Sequence, residues 1–241
     1  MRQSLSERTE KLFDTPYDNP EVVSVYEDRY THDTRVKTEV DFEVSEVERL
    51  IQQNNLKSWC DVACGTGHHL RNVLSPIQKH GIDKSMLMIS QYNSSETNID
   101  YTLEDFLHTD TSQQFDLVTN FWFGYSHQPN FDDVILFLNN MADITSDDGL
   151  LILSLHNQWN IFDRIPQKTK EPMGGTFSFD AMMWSYDEPG IPNSTYKCIV
   201  PHKDCIVDVF SKKFNNVVVE SYPFNPHAGG KELLIAVEKK T

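Results

Sequence analysis

The feature that most restricts this chain is an alternation of strand-like and helix-like segments from Ser58 to Leu155. Ser58–Ala63, Lys79–Ile82, Ile99–Leu103, Phe115–Phe121 and Leu150–Leu155 read as strands. Gly67–Leu74, Ser85–Tyr92 and Phe131–Ile144 read as helices, the last with Val134, Ile135, Leu138 and Met141 on one face. Strands separated by helices in this way imply βαβ units and a parallel sheet. The run Leu150–Leu155 does not alternate apolar with polar residues, as expected of a strand covered on both faces. Asp147-Asp148-Gly149 before it reads as a turn. Upstream, Glu39–Asn54 predicts a helix with Val40, Val44, Val47, Leu50 and Ile51 on one face, and Glu21–Tyr30 a shorter one. Residues 1–20 are polar, carry Pro16 and Pro20, and read as a mobile or loosely docked leader.

The rhythm breaks after His156. Residues 157–200 hold four of the eleven prolines, Gly174-Gly175 and scattered aromatics, which fits short strands and loops. It returns with a helix over Lys203–Phe214 and strands at Val217–Tyr222 and Glu232–Glu238. The expected fold is α/β: a doubly wound, mostly parallel, seven-stranded, Rossmann-like sheet with a small β-rich insertion after the fifth strand. In such sheets the ligand lies outside the carboxyl ends of the strands.

Charge and cysteine usage narrow the function. With 21 Lys and Arg against 36 Asp and Glu, the net charge is −15. That disfavours a nucleic-acid partner, since phosphate-backbone affinity comes from basic side chains. No apolar stretch approaches 18 residues, so no membrane span is expected, and Met1–Phe13 lacks the apolar core of a secretory signal. Cys60, Cys64, Cys198 and Cys205 form no Cys-x-x-Cys pair and read as reduced thiols in a cytoplasmic protein.

The chemistry concentrates in Trp59-Cys60-Asp61-Val62-Ala63-Cys64-Gly65-Thr66-Gly67-His68-His69-Leu70, where the first strand turns into the first helix of the alternation. Gly65 and Gly67 allow a tight turn with bare backbone against a ligand. A dinucleotide fingerprint needs a third glycine at position 70, which is leucine. Asp61 at the strand end suits a cationic ligand better than a pyrophosphate. His68, His69 and His80 lack metal-ligand spacing, and no metal is expected.

The run Asp61–Gly67 resembles the first motif of the class I S-adenosylmethionine-dependent methyltransferases. The resemblance continues with Asp83, beside Lys84, where the family holds the ribose hydroxyls; with Met86-Leu87-Met88 along the adenine; with Glu104, Asp105 and Phe106 after the third strand; and with Phe115–Asn120 as the fourth. It covers about residues 21–155 and 203–240. A narrower resemblance, through Val25–Tyr30 and the insertion, is to small-molecule enzymes such as sugar-nucleotide N-methyltransferases.

These resemblances imply a cofactor, S-adenosylmethionine (leaving as S-adenosylhomocysteine), held by Tyr26, Arg35, Asp61, Ala63, Gly65, Gly67, Asp83, Lys84, Met88, Glu104, Asp105, Phe106 and Asn120. Arg35 would face the methionine carboxylate, and Tyr26 and Tyr30 would fold over the cofactor toward the acceptor. His127 and His156 stand at strand mouths where a proton acceptor would sit, with His227 a further such position; Tyr30, His127 and His156 are the catalytic candidates. The implied organisation is a covering segment at 1–38, a methyltransferase domain at 39–156 and 201–241, and a substrate lid at 157–200. The expected activity is methyl transfer to N or O of a small molecule, by a monomer or homodimer. A protein methyltransferase and a non-catalytic cofactor-binding regulator or partner subunit are the alternatives.

Overall fold

The structure is a computed structural model that describes residues 16–28, 32–91, 98–156, 168–170, 176–178, 180–187, 195–223 and 231–240. Its centre is a seven-stranded sheet. In chain order the strands are β1 (Ser58–Val62), β2 (Gln78–Asp83), β3 (Ile99–Leu103), β4 (Phe115–Asn120), β5 (Thr145–Leu155), β10 (Phe214–Ser221) and β11 (Glu232–Lys239). They lie in the order β10-β11-β5-β4-β1-β2-β3. β11 runs antiparallel to both neighbours, and the other pairings are parallel. Successive residues of the central strands feed opposite layers. Val118 and Leu151 pack with α5 (Phe131–Ile144) and α6 (Lys203–Lys213), whereas Leu117 and Ile152 pack with α2 (Thr34–Asn54) and α3 (His68–Asn72). Burial on both faces is the reason β5 carries a continuous apolar run.

Several elements depart from the sequence expectation. α2 begins at Thr34 rather than Glu39, because Asp33 caps it, accepting from the Arg35 and Val36 amides. Of the short helix expected over Glu21–Tyr30, the described residues show α1 (Pro20–Ser24), capped by Asn19, followed by turns at Val25–Glu27. The leader is docked from Pro16 onward: Pro16–Asp18 form a 3₁₀ turn, and the Ser85 hydroxyl donates to the Tyr17 carbonyl at 2.7 Å. The helix expected over Ser85–Tyr92 is α4 (Met86–Ser90), with Ser85 as its cap. Asp147-Asp148-Gly149 is a bulge inside β5: Phe115 pairs with Thr145 but Leu117 with Leu150, so three extra residues are pushed out of the ladder. Within the insertion, two antiparallel hairpins are described: β6 (Lys168–Lys170) with β7 (Thr176–Ser178), and β8 (Ala181–Asp187) with β9 (Thr195–Pro201). Among the described residues no helix is long and apolar enough to cross a membrane.

The turn after β1 depends on backbone freedom at Gly67. Its φ is +73°, and a Cβ there would lie 2.1 Å from the Tyr101 hydroxyl. Gly67→Ala is expected to destabilise the protein by about 1–2 kcal/mol from left-handed strain alone. Denaturant titration checks this; an unshifted midpoint would contradict it.

Candidate active site

β1 and β4 are neighbours whose connections leave for opposite faces, and a cleft of about 650 Å³ opens at their carboxyl ends. Its floor is Ala63 and Gly65 after β1. One side is formed by Ile82, Asp83, Lys84, Ser85 and Met88 with Glu104, Asp105 and Phe106 after β3; the other by Phe121, Trp122, Gly124, His127 and Gln128 after β4. Tyr17 and Tyr26 close it from the N-terminal segment.

Asp83 is fixed from both sides: Oδ2 accepts from the Gly65 amide and Oδ1 from the Ser85 amide, each at 2.8 Å. Burial raises its pKa while those two bonds oppose the rise. Each oxygen accepts one described bond, so each retains acceptor capacity on the cleft side. Ile82, Met88 and Phe106 offer apolar surface next to this carboxylate, with Glu104 and Asp105 at the rim. This donor set fits an adenosine: apolar walls for a flat base, acceptors for ribose hydroxyls and an exocyclic amine, and negative charge suited to a sulfonium.

The far side is strained. Trp122 and Phe123 both have positive φ, +58° and +66°, as does Ala63 at +51°. Such conformations cost about 1–3 kcal/mol each, and cluster at working sites. Gly124 lets the two loops meet, since a Cβ there would lie 2.5 Å from that of Ala63. His127 lies edge-on to Tyr17 at 5.4 Å and to Tyr186 of β8 at 6.3 Å. Burial, reinforced by Lys84, pushes its pKa down to about 4.

The candidates divide between the cleft and its surroundings. Tyr26, Ala63, Gly65, Asp83, Lys84, Met88, Glu104, Asp105, Phe106 and His127 line the cleft; Arg35, Asp61, Gly67, Asn120 and His156 do not. Arg35 is exposed in the first turn of α2. Gly67 abuts Tyr101. Asn120 has its amide committed, donating to the Val62 carbonyl at 2.6 Å and accepting from the Tyr125 amide at 3.4 Å, so it braces the β1 and β4 ends. His156 is stacked on Phe123 at 3.9 Å, behind the wall. Tyr30 and His227 lie outside the described residues. Tyr17, Ser85 and Gln128 also line the cleft, and Glu27 joins the site, though the sequence motifs mark none of them. The Glu27 carboxylate accepts from Thr66, from His68 at 3.0 Å and from Arg71 at 2.9 Å, tying the covering segment to the Gly65–Gly67 turn. Burial opposes its charge, but these partners hold its pKa below the usual carboxylate value. Among the described residues no group of His, Cys, Asp and Glu could hold a metal ion.

Residues 60–149 match a family model described as a methyltransferase domain. No curated protein sequence matches the chain. Three solved structures illustrate the likeness in fold. An S-adenosylmethionine-dependent methyltransferase from Clostridium acetobutylicum ATCC 824 is 14% identical with a TM-score of 0.62, over 90% of this chain and 97% of that one. The sugar N-methyltransferase KedS8 from Streptoalloteichus sp ATCC 53650 is 14% identical with a TM-score of 0.59, over 90% and 92%. CalS10, an amino pentose methyltransferase from Micromonospora echinaspora, is 13% identical with a TM-score of 0.58, over 88% and 97%. Residues 60–149 thus match a methyltransferase-domain model, and the chain shares its fold with solved structures described as methyltransferases.

Asp61 is 2% exposed beneath the cleft and accepts from the Thr119 hydroxyl at 2.6 Å. Burial raises its pKa to about 6, with His69 and Thr119 working the other way. The folded value lies above the ordinary one near 3.9, so its contribution is most favourable below about pH 4 and is lost as pH rises through 6. Asp61→Asn should remove roughly 3 kcal/mol of that pH dependence, making the variant's stability change less unfavourably than wild type's between pH 4 and pH 8. Parallel pH-stability curves for the two proteins would contradict it.

Proposed function

We propose that this chain transfers a methyl group from S-adenosylmethionine to a small-molecule acceptor, and that the acceptor atom is an amine nitrogen. The cofactor reading rests on the Asp83 carboxylate, set by the Gly65 and Ser85 amides beside an apolar slot. It is supported by the match over residues 60–149 and by a fold shared with structures described as S-adenosylmethionine-dependent and sugar N-methyltransferases.

When bound, the cofactor supplies an activated methyl carbon on a sulfonium. Asp83 would hold the ribose hydroxyls. Glu104 and Asp105 would face the adenine edge, with Met88 and Phe106 against its ring. Tyr17, Tyr26, Trp122 and His127 would surround the opposite end, exclude water and orient the acceptor for in-line attack. Orientation of this kind can supply about 7–11 kcal/mol. In that geometry the acceptor lone pair would take up the methyl group, the electron pair of the carbon–sulfur bond would stay with sulfur, and the acceptor's proton would leave afterwards.

His127 favours nitrogen over oxygen. At a pKa of about 4 it is neutral at pH 7 but a weak base. It can accept a hydrogen bond from an amine that enters as the free base, and it is poorly matched to ionising a hydroxyl. The test is incubation with methyl-labelled cofactor and paired acceptors, amino sugars beside their hydroxyl analogues. Label should enter the amines alone. Label entering only the hydroxyl analogues would overturn the choice of atom. Asp83→Ala, which removes a charge-assisted hydrogen bond, should lower kcat/KM for the cofactor by roughly 10- to 100-fold. Any acidic limb caused by His127 should lie near pH 4, and a His127-dependent limb near pH 6.5 would contradict the burial argument.

A further inference from the structure

The cleft wall formed by Trp122 is held from behind by a carboxylate that no solvent reaches. Glu43, on α2, is 0% exposed. Its Oε2 accepts from His69 Nε2 at 2.8 Å and from the Trp122 indole at 3.1 Å, and its Oε1 from the Tyr222 hydroxyl at 2.5 Å. Burial opposes the charge, but Lys231, His69 and Tyr222 outweigh it and keep the carboxyl below its ordinary value. Lys231 is itself buried, 2.7 Å from Glu39, with its ammonium 3.3 Å from the Trp122 ring centre. His69 stacks on Phe121 at 4.4 Å. Four segments thus converge on this acid of α2: α3, the loop after β4, the residue after β10 and the residue before β11.

The convergence falls at the strained residue. Trp122 holds φ +58° while its amide donates to the Ser154 hydroxyl at 2.9 Å. A tryptophan stays in the left-handed region only where its surroundings over-determine it, and the indole–Glu43 bond with the Lys231 contact supplies that determination. Trp122 also lines the cleft on the side away from Glu104, Asp105 and Phe106. We propose that Glu43 is a positioning residue: through the Trp122 indole it fixes the wall that faces the methyl-donor end of the bound cofactor. This rests on the methyltransferase reading above.

The test has two halves. In free protein labelled with ¹⁵N at its four tryptophans, the Trp122 indole proton, assigned by its absence in Trp122→Phe, should exchange slowly with solvent. Glu43→Ala should speed that exchange by about tenfold or more, whereas Glu43→Gln, which keeps an acceptor oxygen, should preserve it. In the second half, Trp122→Phe and Glu43→Ala should weaken S-adenosylmethionine by about tenfold while leaving adenosine, which fills only the Asp83–Phe106 end, within about threefold. If Glu43→Ala fails to fold, Trp122→Phe carries the binding half and Glu43→Gln the exchange half. Unchanged indole exchange in Glu43→Ala, rapid exchange in wild type, or equal losses of adenosine and S-adenosylmethionine would overturn the proposal. Wild-type protein that binds neither ligand would contradict the methyltransferase reading, and the exchange result would still decide whether Glu43 holds Trp122.

Discussion

The site depends on one topological constraint, the adjacency of β1 and β4. Their chain connections depart to opposite faces, which opens a gap at their carboxyl ends. Both strands are buried, which leaves only their final residues and following loops to present chemistry. Those loops carry the strain: Ala63 on one side, Trp122 and Phe123 on the other, all with positive φ. Gly124 against Ala63 and the Asn120 amide on the Val62 carbonyl lock the two loops to each other. The cleft is therefore shaped by backbone that the sheet itself fixes, and the covering segment and β8–β9 hairpin are added around its mouth.

A half-buried acid, Glu27, and a buried one, Glu43, hold parts of this surround in place. Glu27 joins the N-terminal segment to the Gly65–Gly67 turn and the helix after it through Thr66, His68 and Arg71, and Glu43 joins α2 to Trp122, His69 and Tyr222. A charge inside a protein is tolerated only when it is paired and hydrogen-bonded, and each of these carboxylates has three described donors. Removing one donor set would leave an uncompensated charge, so these contacts specify geometry more strongly than ordinary packing does. Part of the net charge of −15 is thus interior: Glu39, Glu43 and Asp61 are all below 5% exposed. The same electrostatics makes a cation a fitting occupant of the cleft.

Much of this was legible in the sequence. The apolar runs of β1, β4 and β5 and the helical face of Phe131–Ile144 announce a covered parallel sheet, and the family resemblance points to Asp83 and Glu104–Phe106, which line the cleft. What escaped has physical reasons. The first turn of α2 has one inward residue, Val36, among polar ones, so periodicity missed it, although the capping aspartate at 33 was there to see. Arg35 has the chemistry for a carboxylate but sits on the solvent face, while Arg71 is the arginine beside the Gly65–Gly67 turn, paired with Glu27. Asn120 was given to the cofactor, yet its amide is used within the scaffold. Nothing in an aromatic pair marks it for the left-handed region, so the Trp122–Phe123 strain was invisible. Glu39 and Glu43 did leave a trace: they fall on the same helical stripe as Val36, Val40 and Val47, where a surface acid does not belong.

The central claim is that the Gly65 turn and Asp83 hold the adenosine of a sulfonium cofactor and not a dinucleotide. Calorimetric titration of the wild-type chain with S-adenosylmethionine, S-adenosylhomocysteine and NAD tests it most directly. The account expects micromolar binding of both sulfur ligands and none of NAD, because Leu70 replaces the third glycine of a dinucleotide turn and acidic side chains line the place a pyrophosphate would need. Binding of NAD with no affinity for either sulfur ligand would contradict it.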